Sequence, residues 1–418
     1  MSLALLQGTS PVRAHPFLPW PQQGEPEEKN LLDLLRTGSW GGYSPKVEEF
    51  GQAFAEVHRA KYGICCSNGT VALEVALRAL KIGCGDEVIV PSISFVATAA
   101  SVLLCHGCPV FVDVDPQTCT LLPEAVESAI SPRTRAVIPV HFGGHPADMD
   151  AIGRIAAKHR IAIVEDAAHA HGAMWRDVPV GSLGTAAAFS FQAFKLVTAG
   201  EGGIVLTNSS SMAETIWSYC NQGRRKGMGW YEHFTLGTNY RMTGFQAAVL
   251  CAQLERLPAQ IRKRTENVDY FRERLRSFHG ISIPDDDPRV SRHPHYLVTM
   301  HYDSSHFAGL RRNLVIQALQ AEGIPVLPTY PFPLYRTPLF INGQLPPCRC
   351  GTWRFGQRYE SLRLEHAEWI CENGMWLEQN VFLGNRNDID DVLTAFEKVQ
   401  RFSSALLDFQ RSSQSHRA

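Results

Sequence analysis

Charge of one sign is missing from this chain. Its 40 Lys and Arg stand against 41 Asp and Glu, for a formal net charge of −1. So balanced a surface builds no basic field for nucleic acid or an anionic membrane, and neither partner is expected. Long apolar runs are missing too. The most apolar window, 95–114, is interrupted by His106, Pro109 and Asp113. It reads as a helix followed by a strand, not as a membrane span. The opening Met1-Ser2-Leu3-Ala4-Leu5-Leu6 carries no basic leader, so no export signal is expected. A paired cysteine framework is also absent, since the 11 cysteines are odd in number and scattered. Cys105 and Cys108 have CxxC spacing, but Cys348 and Cys350 do not supply a second such pair. Reduced thiols in a cytoplasm are expected, and a metal site is not. No internal repeat is present.

What remains is an ordinary globular composition, 44% apolar and 19% charged over 418 residues, enough for more than one core. Prolines 11, 16, 19, 21 and 26 make the beginning an extended arm. Strands are expected at 62–66, 87–91, 110–114, 136–140, 161–164 and 204–207. Helices at 47–57, 96–104, 149–159 and 212–220 alternate with them. Such alternation gives an α/β fold with a mostly parallel sheet, whose ligands sit beyond the carboxyl ends of the strands. One helix is expected to end near 257, and a second, charged one (259–278) to lead into a smaller domain. That domain holds strands at 295–301 and 325–327 and helices at 310–322 and 389–402. The basic loop 223–229 is expected to be mobile, the Pro-rich loop 330–349 to cover a site, and residues beyond 403 to fray. The expected division is an arm (1–26), a large domain (27–258), a small domain (259–402) and a flexible tail (403–418).

Three stretches carry chemistry. Lys195 lies in the apolar run Phe189-Ser190-Phe191-Gln192-Ala193-Phe194, just before Gly200-Glu201-Gly202-Gly203. Burial lowers a lysine's pKa and makes the amine a nucleophile toward carbonyls. The plainer alternative is a lysine snorkelling at an edge. Ser67-Asn68-Gly69-Thr70 opens a helix, where free N–H groups and the dipole favour an anion. An ordinary N-cap reads the same way. Asp166 ends a buried strand, where a carboxylate needs a cationic partner. A nearby arginine, a turn that it caps, or a protonated ring nitrogen would serve.

Taken together, Ser67-Asn68-Gly69-Thr70, Glu165-Asp166-Ala167-Ala168-His169, Ser190-Phe191-Gln192 with Lys195, Gly200-Glu201-Gly202-Gly203 and Asn239-Tyr240-Arg241 resemble the DegT/StrS family. Its members are pyridoxal-phosphate enzymes, mostly sugar and cyclitol aminotransferases. The order and spacing hold from about 17 to 402. The resemblance implies an aspartate-aminotransferase-like large domain (pyridoxal-phosphate fold type I) with a smaller α+β C-terminal domain. It implies pyridoxal 5′-phosphate as the cofactor, bound to Lys195 as a Schiff base. Asp166 would face the pyridine nitrogen, Phe95 would stack on the ring, and His169 would lie beside it. Gly69, Thr70 and Ser190 would hold the phosphate. Asn239 would reach the phosphate of a neighbouring subunit, which implies a homodimer with shared sites. Ser190-Phe191-Gln192 and the arm 16–22 resemble the subgroup of glutamine:scyllo-inosose aminotransferases and 3-amino-5-hydroxybenzoate synthases. Gln192 and Arg224 are candidate partners for the carboxylate of an amino-acid donor.

Three functions compete on this sequence. The first is transfer of an amino group from glutamine or glutamate to a keto-sugar or keto-cyclitol. The second is dehydration and aromatisation on the same cofactor. The third is a binding protein without chemistry, which Lys195 argues against because binding alone needs no Schiff base.

Overall fold

The structure is a computed structural model describing residues 3–7, 10–342 and 359–415. After the arm come α1 (Glu25–Thr37) and α2 (Pro45–Val57). The large unit then follows as β1 (Tyr62–Cys66), α3 (Gly69–Ala79), β2 (Glu87–Pro91), α4 (Ala97–Leu104), β3 (Cys108–Val112), β4 (Thr134–Val137) and α5 (Met149–His159). It closes with β5 (Ala162–Asp166), β6 (Ala186–Ser190), β7 (Gly203–Thr207) and α6 (Ser210–Cys220). Their sheet has the order β1-β7-β6-β5-β4-β2-β3. Only β7 runs against the others. β2, β3, β6 and β7 are buried along their whole length, as a sheet covered on both faces requires.

Several boundaries differ from expectation. β3 begins at Cys108, and Val114 instead forms an isolated bridge to Leu121. β4 stops at Val137, while Val140 bridges to Asp166. The two helices expected on either side of Pro258 are one, α7 (Gly244–Leu275), with the proline inside it. A proline in a helix removes one backbone bond and strains the turn before it. Burial on both sides offsets this, because Leu254, Leu257 and Ile261 pack into the large unit while Val268, Phe271 and Leu275 pack into the small one.

The small unit holds β8 (Leu297–Tyr302), α8 (Arg312–Ala321), β9 (Leu327–Pro328), α9 (Glu365–Asn373), β10 (Gly374–Glu378) and α10 (Arg386–Arg401). Its antiparallel sheet places Ile281–Ser282 beside β8, then β10 and β9. The expected split of the chain at 259 is crossed again later. Tyr335, Phe340 and Tyr359 surround Phe111 of the large sheet at 6.2, 4.9 and 5.2 Å between ring centres. The end of the Pro-rich loop expected at 330–349 lies outside the described residues from 343 on. The tail does not fray as expected. Residues Ser403–Ser415 form a helix, α11, because Leu406 is fully buried in the small unit's core. Residues 416–418 lie outside the description. Cys105 and Cys108 are both buried, and no group of His, Cys, Asp or Glu among the described residues is arranged to hold a metal.

Candidate active site

The carboxyl ends of β1, β5 and β6 bring the three chemical stretches together. β1 ends in Ser67-Asn68, and Asn68 Oδ1 caps α3 by accepting from the Val71 N–H at 2.9 Å. A Cβ on Gly69 would come 2.7 Å from Ser190 Cβ. Glycine is therefore what lets the first turn of α3 lie against the end of β6. A Cβ on Gly203 would sit 2.3 Å from the Asn68 carbonyl oxygen, so β7 approaches the same turn equally closely. The helix N-terminus thus has Thr70 and Ser190 at its mouth, a donor set suited to a phosphate.

Beyond β6 the chain turns sharply. The Lys195 N–H donates to the Gln192 carbonyl at 2.8 Å, and the Phe194 N–H donates to Gln192 Oε1 at 2.9 Å. Gln192, expected to meet a donor carboxylate, has its side-chain oxygen committed to holding this turn. Lys195 is half-buried. Its Nζ lies 3.4 Å from the Tyr296 hydroxyl and 4.5 Å from the centre of that ring. Burial pushes the ammonium pKa down to about 8, against the opposing pull of Asp166.

Asp166 is buried at the end of β5. Thr98 Oγ1 donates to its Oδ2 at 2.7 Å, and the Ala168 N–H donates to Oδ1 at 3.3 Å. Desolvation raises the carboxyl's pKa, while the Thr98 and Ala168 bonds and the Lys195 charge oppose it. No ion pair to Asp166 closes among the described residues, although its desolvated carboxylate calls for a cation. His169 is held well below its ordinary pKa by burial and the Lys195 charge. Its Nδ1 accepts from the Gly143 N–H at 3.4 Å, so the neutral ring carries its proton on Nε2. The Tyr296 ring lies 4.4 Å away.

A cofactor with an anionic phosphate, a carbonyl carbon and a basic ring nitrogen fits this arrangement. The α3 turn, the depressed lysine and the unpaired buried carboxylate answer those three groups in turn. Phe95 stands just before α4 and is 60% exposed. Arg224 and Asn239 do not join the cluster within one chain. Arg224 lies over Trp230 at 4.1 Å and bonds the Trp230 carbonyl, Gln222 Oε1 and the Tyr43 hydroxyl. The loop expected to be mobile is thus pinned at its arginine. Asn239 is exposed and bridges Asn221.

Two site residues carried no signal in the sequence. Thr98 looks like an ordinary residue of an apolar helix, and Tyr296 like a strand residue of the second domain. Only the approach of β8 to Lys195 gives Tyr296 a place in the site.

This constellation on a seven-stranded, mostly parallel sheet defines a fold-type-I pyridoxal-phosphate enzyme. Residues 21–397 match the family model of the DegT/DnrJ/EryC1/StrS aminotransferase family, and the chain belongs to that family. It is a pyridoxal-phosphate-dependent aminotransferase. One relative, from Streptoalloteichus tenebrarius, is provisionally named L-glutamine:3-amino-2,3-dideoxy-scyllo-inosose aminotransferase. It is 39% identical, over 97% of this chain and 99% of its own. The L-glutamine:2-deoxy-scyllo-inosose aminotransferase of Streptomyces lividus is 34% identical over 97% and 99%. The crystal structure of a 3-amino-5-hydroxybenzoic acid synthase superposes with a TM-score of 0.84 at 33% identity, covering 94% of this chain and all of that one.

Proposed function

We propose that this enzyme moves the amino group of glutamine to the ketone of a cyclitol. The observation that carries the chemistry is the setting of Lys195, whose Nζ lies against Tyr296 and near the buried Asp166, with burial pushing its pKa down to about 8 and no ion pair to Asp166 among the described residues. The substrate class rests on the relatives' names and on their coverage of the whole chain.

Bound pyridoxal phosphate supplies an electron sink for the donor's α-carbon. The chain's own residues do the rest. The α3 N–H groups with Thr70 and Ser190 bind the phosphate, and Asp166 holds a proton on the ring nitrogen. Thr98 and the Ala168 N–H keep that carboxylate oriented. Phe95 would pack on the cofactor ring, and neutral His169 would border it. Lys195 would hold the cofactor, and its freed Nζ would serve as the base and acid for the donor's α-proton. Arg224 is the candidate partner for the donor's carboxylate.

The working unit in this proposal is a homodimer, with Asn239 completing the partner's phosphate site. Trp230, Tyr231 and Leu236, in the stretch leading to Asn239, are 66, 87 and 94% exposed in the single chain. Apolar side chains so exposed on one stretch support a covering partner. No helix among the described residues is long and apolar enough to cross a membrane. With free thiols among those residues, the cytoplasm is the proposed compartment.

The test is stoichiometric. Glutamine alone, added to the holoenzyme, should convert the bound pyridoxal form to the pyridoxamine form with release of the keto acid. If neither glutamine, glutamate nor any other common amino acid converts the cofactor, a dehydratase takes the place of this reading.

A further inference from the structure

Beside Lys195 lies a cavity of about 110 Å³, lined by Trp20, Phe194, Tyr296, Leu297, Glu378, Gln379 and Asn380. Phe194 precedes the lysine in sequence, and the Tyr296 hydroxyl is 3.4 Å from its amine. Whatever occupies the cavity therefore adjoins the reacting centre. The arm builds one wall, because Asn380 Nδ2 donates to the Leu18 carbonyl at 2.9 Å and Trp20 follows two residues later. The volume suits one small ring and falls well short of the several hundred Å³ of a pocket for larger ligands.

Two groups of this wall have no partner among the described residues. Glu378 ends β10, half-buried, and burial raises its pKa. None of the described residues gives it a hydrogen bond or an ion pair. Gln379 cannot help, since its Oε1 already accepts from Arg264 Nη1 at 2.9 Å. The Trp20 indole N–H is buried and also has no acceptor among the described residues. Buried polar groups are ordinarily satisfied, and those that are not call for an explanation. Among the described residues the lining holds no lysine or arginine, so the formal charge they give it is that of Glu378. A carboxylate without a cation repels phosphates and attracts ammonium groups.

We infer that this cavity seats the acceptor ring, and that Glu378 selects acceptors carrying a protonated ring amine over those with a hydroxyl there. The inference rests on the keto-cyclitol reading and adds to it the charge of the substrate and the residue that reads it.

The experiment compares two keto-cyclitols that differ only in an amine or a hydroxyl on the ring, each with glutamine as donor. The wild-type holoenzyme should favour the amine by about tenfold or more in kcat/KM, as a charge-assisted bond implies. In Glu378→Gln that ratio should fall toward one, chiefly through KM for the amine. Glu378→Asp should keep part of the preference. A ratio unchanged by Glu378→Gln, or a wild type that prefers the hydroxyl, overturns the inference. Should the variants fail to fold, the wild type still decides. A ring dimethylamine, which cannot condense with the cofactor, should inhibit competitively against the acceptor at a concentration about tenfold below that of the matching hydroxyl compound. Equal inhibition overturns the inference. Conversion of the cofactor by glutamine with neither ketone aminated would overturn the keto-cyclitol reading as well, and so is distinct from a failure of Glu378 alone.

Discussion

At the scale of single residues, the site is a set of desolvated groups that balance one another. Lys195 loses part of its charge to burial, while Asp166 draws the other way. A free lysine titrates near 10.5, so at neutral pH far more of this amine is neutral than in an exposed lysine. In the apoenzyme, the rate of cofactor capture should rise with pH along a curve centred near 8, the value to which burial brings Lys195. Stopped-flow absorbance of pyridoxal phosphate binding measures it, and a curve centred near 10 would contradict the burial argument. The sign for stability follows from the same shift. The folded pKa lies below the unfolded one, so the unfolded chain binds more protons between pH 8 and 10.5. This residue's contribution to apoenzyme stability therefore improves as pH rises through that window. Asp166→Asn should still bind the cofactor but lose about a hundredfold or more in kcat, the scale for removing one preorganised electrostatic partner in a dry site. Near-normal turnover would remove Asp166 from its role.

At the scale of elements, the turn between β1 and α3 is closely constrained. Gly69→Ala forces a Cβ to within 2.7 Å of Ser190 Cβ. Either α3 or the end of β6 must shift, at about 1–3 kcal/mol for such overpacking. Cofactor affinity should weaken about tenfold to a hundredfold, read by equilibrium dialysis, with the far-ultraviolet circular dichroism unchanged. Affinity equal to wild type would mean that this turn does not hold the phosphate. The same elements show what was legible beforehand. Strands rich in Val and Ile, such as β2 and β7, stand out by composition. β6 begins with Ala186-Ala187-Ala188, residues of low strand propensity, and shows itself only by pairing with β5 and β7. α7 was divided at Pro258 because a local rule reads the proline and not the two cores that hold its flanks. Lys195 and Asp166 could be found because each sits where its charge is costly. Tyr296 and Glu378 could not, because a strand of the small unit reaches the site only through the fold.

At the scale of the whole molecule, α7 joins the two cores, and the small unit reaches the lysine through Tyr296, with Glu378 lining the cavity beside it. In the homodimer proposed above, the exposed aromatic stretch before Asn239 is where a partner would cover the chain, and a single chain would lack the Asn239 of its own site. Mixing inactive Lys195→Ala chains with chains inactivated at Asn239 should restore activity, because one of the two sites in a mixed dimer keeps both residues. A return of up to about a quarter of wild-type activity is the statistical ceiling for random pairing of equal amounts, on the mass-action logic of assembly. No recovery, with mixed dimers present by native mass spectrometry, would show that each site belongs to one chain. The claim on which everything else stands is that Lys195 carries the cofactor. Borohydride reduction of the intact holoenzyme, followed by digestion and mass spectrometry, tests it most directly. The phosphopyridoxyl mass should fall on the peptide containing Lys195 and be absent from Lys195→Ala. The same mass on another lysine, with Lys195 unmodified, would contradict the account.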